Sequence, residues 1–221
     1  MTEALVMAGG GGTRMRASGV DVPKPLVRVS GRPLIEWNVR ALRKAGIDDV
    51  RVSVSAGQTS IREWIDAAGL PAVVETTPLG NIGAAGLRAG SCERLLVVFA
   101  DNLTDLDLRA LLAAHEGALT LAAHEHVLRL DYGRLEIEGG RVRAYSEKPE
   151  IRSVVSSGLY VLGPQAMQIV KDIGRCGASQ MVREVLDAGG RVGAFRHEAA
   201  WVDVNDASKL EEAEAVAAAI G

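Results

Sequence analysis

The chain has 221 residues, of which 48% are hydrophobic and 24% charged, and these globular proportions exclude intrinsic disorder and fibrous repeats. Twenty-five basic side chains against 28 acidic ones leave a net charge of −3, which excludes the broad electropositive field that nucleic acid or an anionic membrane surface would need. Cys92 and Cys176 lie far apart without C-x-x-C spacing, so a disulfide framework and a zinc site are not indicated and reduced thiols are expected.

The short apolar run from Leu5 to Ala8 is wrongly flanked for a signal peptide. No stretch approaches the roughly 20 apolar residues of a membrane span, so a soluble, cytoplasmic protein is expected. In chain order, Ala4 to Ala8, Val50 to Val54, Ala72 to Glu75 and Leu95 to Ala100 read as buried strands. Between and after them, Leu34 to Ala45, Ile61 to Ala68 and Leu106 to His115 carry apolar residues at helical spacing. Such alternation predicts βαβ units and a largely parallel sheet covered on both faces.

From Leu128 the pattern changes to strand alternation around turns, with Leu135 to Glu138 and Arg141 to Tyr145 flanking Gly139-Gly140. Val154 to Leu162 reads as a further strand, followed by helices near Pro164 to Ile173 and Ser179 to Ala188. The runs Val192 to Arg196 and Trp201 to Val204 precede a terminal helix from Ala207 to Ile220. The fold expected is therefore α/β: a Rossmann-like three-layer sandwich with a mostly parallel mixed sheet and a small antiparallel β excursion. One domain over residues 1–221 is predicted, since no linker or repeat interrupts it.

Ala8-Gly9-Gly10-Gly11-Gly12-Thr13-Arg14-Met15 follows the first strand directly, at the sheet end where open α/β folds bind ligands. Glycines there let backbone N–H groups come close to phosphate oxygens. The dinucleotide fingerprint G-x-G-x-x-G fails because Arg14 and Met15 stand where its last glycine would be, and the G-K-(S/T) of a Walker A loop is absent. What remains is a glycine loop ending in an arginine fork, followed by Pro23-Lys24-Pro25-Leu26, and both cations suit phosphate.

These residues resemble the sugar-1-phosphate nucleotidylyltransferases of the nucleotide-diphospho-sugar transferase fold, whose signature is A-G-G-x-G-T-R-(L/M) followed by P-K-P-(L/M). Val29-Ser30-Gly31-Arg32-Pro33-Leu34-Ile35 continues the likeness. The resemblance implies that the glycine loop wraps a nucleotide's phosphates, with Arg14 on the leaving phosphates and Lys24 near the α-phosphate. It divides the chain into a nucleotide-binding half at about residues 1–125 and a sugar-phosphate-binding half at about 126–221. Pro78-Leu79-Gly80-Asn81-Ile82-Gly83 is similar to the loop beside the nucleobase, and Glu75 stands where relatives read the base edge. A carboxylate only accepts hydrogen bonds, which guanine's N1–H and N2–H2 would satisfy, tilting the reading toward GTP.

Asp101 in Phe99-Ala100-Asp101-Asn102 and Asp203 in Trp201-Val202-Asp203-Val204-Asn205-Asp206 resemble the family's two Mg2+ ligands, although Asn205 replaces a glycine. Tyr132-Gly133, Glu147-Lys148-Pro149 and Ser156-Ser157-Gly158-Leu159-Tyr160 look like its sugar-phosphate motifs. By resemblance, Gly133, Glu147, Ser156 and Ser157 would face the sugar and Lys148 its phosphate. The histidines form no metal or triad pattern and read as structural or surface residues.

The reaction implied joins an NTP and a sugar-1-phosphate into an NDP-sugar with release of pyrophosphate. A phosphate monoester is already nucleophilic at neutral pH, so positioning and charge neutralisation suffice. Two alternatives are a cytidylyltransferase for phosphocholine or another alcohol phosphate, and a non-catalytic nucleotide-sugar-binding subunit. The first needs an aromatic cage, hard to assemble from eight aromatic residues; the second should have lost the cations and carboxylates. Relatives commonly form dimers or larger assemblies, so the resemblance also allows a homodimer.

Overall fold

The computed structural model describes residues 1–10 and 22–220. The strands in chain order are β1 (Thr2–Met7), β2 (Arg28–Val29), β3 (Arg32–Pro33), β4 (Val50–Ser55), β5 (Ala72–Glu75), β6 (Arg94–Phe99) and β7 (Asn102–Thr104). They continue with β8 (Leu119–Arg129), β9 (Arg134–Glu138), β10 (Arg141–Ser146), β11 (Glu150–Leu162), β12 (Val192–His197) and β13 (Trp201–Asp203). The helices are α1 (Leu34–Lys44), α2 (Thr59–Ala67), α3 (Leu108–Ala113), α4 (Pro164–Ile173), α5 (Ala178–Asp187) and α6 (Leu210–Ile220).

Among the described residues the central sheet has seven strands in the order β12-β8-β11-β6-β1-β4-β5. Only β11 runs against the rest, pairing antiparallel with both β6 and β8, while β1, β4, β5 and β6 pair in parallel. The chain leaves β1 toward β4 and β5 and returns to β6 on the other side of β1, so the strand order reverses between β1 and β6. That is the switch point at which open α/β sheets form a ligand crevice.

Alternation along the buried strands sends neighbouring side chains to opposite faces. Ala4, Val6, Leu96 and Val98 pack with Ile35, Val39 and Leu42 of α1, Ile61 and Ile65 of α2, and Leu108 and Leu111 of α3. Leu5, Met7, Leu95 and Val97 pack on the other face with Ile82, Ala85, Met167 and Val170 of α4, and Met181 and Val185 of α5. The three-layer α/β sandwich expected from the sequence is thus observed.

A third apolar cluster joins Val29, Trp37, Leu103, Val202, Val204, Ala213 and Val216. It fastens the β7–β13 ribbon and α6 beside the sheet's C-terminal edge. Ser30 and Gly31 both have positive φ, the conformation of a tight two-residue hairpin turn between β2 and β3. Ser30 donates from its N–H and Oγ to the Glu214 carboxylate, at 2.9 and 2.6 Å, which anchors α6 to that hairpin.

Several elements differ from the sequence reading, among them β11, which begins at Glu150 and not at Val154. The strand read from Leu128 begins at Leu119, because β11 and β12 pair with Leu119–Ala123 from both sides and so override the weak strand propensity of Ala122-Ala123. The helix read from Leu106 begins at Leu108, because Asp107 accepts from the N–H groups of Arg109 and Ala110 at 2.9 and 3.1 Å and caps it. The terminal helix opens with a 3-10 turn at Ala207–Lys209 before α6.

Candidate active site

A cavity of about 540 Å3 opens at the C-terminal ends of β1, β5 and β6 and is closed on its far side by β11 and β13. Its first wall is Met7, Ala8, Gly9 and Gly10 with Glu75, Gly80 and Asn81. Ser55 Oγ donates to the Gly9 carbonyl and Gln58 Nε2 to the Gly10 carbonyl, both at 3.0 Å, fixing the start of the glycine loop. A Cβ on Gly9 would lie 2.6 Å from Glu75 Oε1, so a larger residue there would have to displace this buried carboxylate. Glu75 is 4% exposed and accepts from Ser53 Oγ at 2.5 Å and from the Leu79 N–H at 3.4 Å. Those two donors leave further lone-pair sites on its oxygens.

Asn81 also has a structural partner: its Oδ1 accepts from the Ala178 N–H at 2.9 Å, satisfying a free donor at the start of α5. Pro78 is exposed and lies outside the cavity lining. Gly11, Gly12, Thr13 and Arg14 fall outside the described residues.

The charged centre holds Lys24, Asp101, Asp203 and Asn205, all lining the cavity. Lys24 stands in a 3-10 turn between Pro23 and the buried Pro25, whose rings fix φ and so the direction of the lysine. Its ammonium lies 3.5 Å from Asp101 Oδ2 and donates to Asn205 Oδ1 at 3.3 Å. The β7–β13 register sets Asp203 opposite Asn102, and the Val204 N–H donates to the Asp101 carbonyl at 3.0 Å. Backbone pairing thereby brings two carboxylates 102 positions apart in sequence to one end of the cavity.

The remaining wall is Phe99, Asn102, Ser156, Gly158, Tyr160 and Trp201. The β8–β11 register shifts between Ser156 and Tyr160, and this irregularity turns the segment around Gly158. Gly158 has a φ of +75°, and a Cβ there would stand 2.3 Å from Asn102 Nδ2, which itself donates to the Ser157 carbonyl at 2.9 Å. Ser156 Oγ donates to Tyr160 Oη at 3.1 Å; burial pushes the Tyr160 phenol up, opposed by that hydrogen bond.

Ser157 is fully buried and does not line the cavity. Its hydroxyl meets His197 Nε2 at 2.6 Å, and the His197 ring lies 5.4 Å from that of His124. Burial first, then His124, pulls the His197 pKa below the ordinary imidazole value. This histidine supports the bulge from behind, consistent with its structural reading.

Gly133, Glu147 and Lys148 lie elsewhere. They belong to the β9–β10 hairpin and its flanks, where residues 131–148 are exposed, and none lines the cavity. Tyr145 Oη donates to the Glu147 carboxylate, the Tyr145 ring covers Gly133, and Lys148 has a φ of +42°. The sequence alone does not single out Asn102, Tyr160 or Asn205 as site residues. Each adjoins a motif residue in the chain, and that adjacency is the one signal that could have marked them.

Asp101 and Asp203 offer hard oxygen donors. Among the described residues no group of three or more His, Cys, Asp or Glu could hold a metal. The donor set therefore suits a hard divalent cation shared with bound phosphates, not an all-protein cage. No helix among the described residues is long and apolar enough to cross a membrane.

A family model described as nucleotidyl transferase matches residues 3–219. Mannose-1-phosphate guanyltransferase beta-B of Xenopus laevis is 26% identical over 219 residues, which cover 91% of this chain and 61% of that protein. The chain thus spans between about half and three-fifths of the length of the curated relatives it matches. Among solved structures, HddC from Yersinia pseudotuberculosis complexed with GMP-PN superposes with a TM-score of 0.75 at 21% identity, covering 97% of this chain and 99% of that one. The inositol-1-phosphate CTP transferase from T. maritima gives a TM-score of 0.70 at 19% identity, covering 100% and 98%. The match runs through nearly every element that builds the cavity, and the chain belongs to the nucleotidyl transferase family.

Proposed function

We propose that this chain is a sugar-1-phosphate nucleotidylyltransferase, joining an NTP and a sugar-1-phosphate into an NDP-sugar and pyrophosphate. The observation that carries the reading is the convergence of Lys24, Asp101 and Asp203 on one cavity beside the glycine-loop entry. A phosphate oxygen of the sugar phosphate attacks the α-phosphorus in line; the bond to the β-phosphate oxygen breaks and pyrophosphate leaves. No general base is required, which fits a cavity lined, among the described residues, by carboxylates, amides and a lysine with no histidine or cysteine.

In this reading the backbone at Ala8, Gly9 and Gly10, continuing through Gly11 to Thr13, holds the NTP phosphates with Arg14. Lys24 neutralises the α-phosphate, and Glu75 accepts from the base edge with Gly80 and Asn81 alongside. Asp101 and Asp203 would hold Mg2+ together with the phosphates, and the ion would supply charge neutralisation at the α-phosphate and the leaving group. Ser156 faces the sugar, with Ser157 supporting it from behind. Glu147, Lys148 and Gly133 act from the hairpin, Lys148 meeting the sugar phosphate. GTP is the favoured nucleotide, because the buried Glu75 offers acceptors only. A cytoplasmic location, where NTPs are supplied, fits this reading.

A second reading has an observation of its own. Phe99, Tyr160 and Trp201, three of the eight aromatic residues, line the cavity, so aromatic surface is available for the quaternary ammonium of phosphocholine. One screen decides between the two: pyrophosphate release with Mg2+ over NTPs crossed with sugar-1-phosphates, with CTP plus phosphocholine as one arm. Turnover with GTP and a hexose-type phosphate is expected. Turnover confined to CTP and phosphocholine would favour the second reading, and no turnover by folded protein would overturn both.

A further inference from the structure

Asn205 stands where the motif resembled by Trp201 to Asp206 has glycine. Tolerance of a left-handed backbone does not explain it, since the non-glycine residues with positive φ among those described are Ser30 and Lys148. Its side chain gives the reason. Oδ1 accepts from Lys24 Nζ at 3.3 Å, while Nδ2 donates to Asp203 Oδ2 at 2.7 Å. An ammonium only donates and a carboxylate only accepts, so these partners fix which end of the amide faces which.

We propose that Asn205 is a positioning residue that tethers Lys24 to Asp203 through a neutral bridge, holding the carboxylate oriented for a divalent cation and the ammonium ready for phosphate. This rests on the functional reading above for what Lys24 and Asp203 do. The chemistry explains why an amide is needed. Lys24 already lies 3.5 Å from Asp101; drawn onto Asp203 as well, its charge would compete with the cation for both carboxylates. The Asn205 carbonyl satisfies one ammonium donor without adding charge, and its N–H2 holds Asp203 Oδ2 by a hydrogen bond. Glycine removes both links. Aspartate replaces the donor toward Asp203 with a like charge and gives Lys24 a charged partner.

The test measures Mn2+ binding to the full chain with a non-hydrolysable GTP analogue by electron paramagnetic resonance, alongside the Mg2+ dependence of turnover, for native, Asn205→Gly and Asn205→Asp proteins. Asn205→Gly should weaken Mn2+ binding at least fivefold and raise the Mg2+ needed for half-maximal rate by a similar factor, with saturating Mg2+ recovering most of kcat. Asn205→Asp should bind Mn2+ at least as tightly as native yet turn over more slowly, and it serves alone if the glycine variant does not fold. Native-like Mn2+ binding and Mg2+ dependence in Asn205→Gly, or weakened Mn2+ binding in Asn205→Asp, would overturn the assignment while native turnover left the enzyme reading standing. A native chain with neither Mn2+ binding nor turnover would overturn both.

Discussion

The motif residues of this chain divide between two physically different regions. Gly9, Glu75, Lys24, Asp101 and Asp203 line a cavity whose walls are strand ends rooted in the apolar layers. Glu147 and Lys148 sit on an exposed hairpin whose Leu135, Ile137, Val142 and Tyr145 are between 47% and 65% exposed. The first region is preorganised, because packing holds each group before any ligand arrives. The second is presented to solvent, so its contacts with ligand cost ordering and contribute mainly to binding. Under the proposed function, phosphoryl chemistry falls to the rigid end and capture of the sugar phosphate to the hairpin.

The largest effect expected is at the rigid end. Asp101→Asn should lower kcat by about a hundred- to a thousandfold, the scale of losing one preorganised electrostatic group, with little change in melting temperature. Next comes Gly158→Ala, which places a Cβ against Asn102 at a φ of +75°. It should destabilise the protein by about 1–3 kcal/mol in chemical denaturation. Lys148→Ala should raise the sugar-phosphate KM about tenfold, one charged contact's worth, while kcat falls much less. If steady-state kinetics instead show a kcat loss matching Asp101→Asn at unchanged KM, the division between the two regions is wrong.

The smallest effect concerns His197, whose pKa is held down mainly by burial. A histidine with a folded-state pKa below its unfolded value favours the neutral form in the fold. Its contribution to stability is whole above the unfolded value, near 6.5, and declines as pH falls toward the lowered one. Melting temperature should therefore drop between about pH 7.5 and 5.5 in the native protein. The drop should be shallower in His197→Gln, and an identical slope in both would remove the histidine from the account.

Strands built from β-branched or leucine runs, such as Val50 to Val54 and Leu95 to Ala100, were legible because their burial is written in consecutive apolar residues. Leu119 to Val127 was not: Ala-Ala-His-Glu-His carries no strand alternation, and its state is set by two neighbours distant in sequence. The site divides along the same line. Ala8, Gly9, Glu75 and Asp101 could be placed because a strand end faces the crevice by construction. Ser157 is expected at the sugar by resemblance alone, whereas it is buried against His197, a partner 40 positions away. Asn81 was read as a nucleotide contact, and its cap on α5 depends on Ala178. The bridge made by Asn205 joins Lys24 across 181 positions, a contact that no local pattern encodes.

Phosphorus NMR of native protein with Mg2+, GTP and a hexose-1-phosphate tests the central claim most directly. The account predicts that the two coupled phosphate signals of a GDP-sugar appear together with pyrophosphate in equal amounts. Inorganic phosphate with GDP, or GMP with no GDP-sugar, would show hydrolysis in place of transfer and would contradict it.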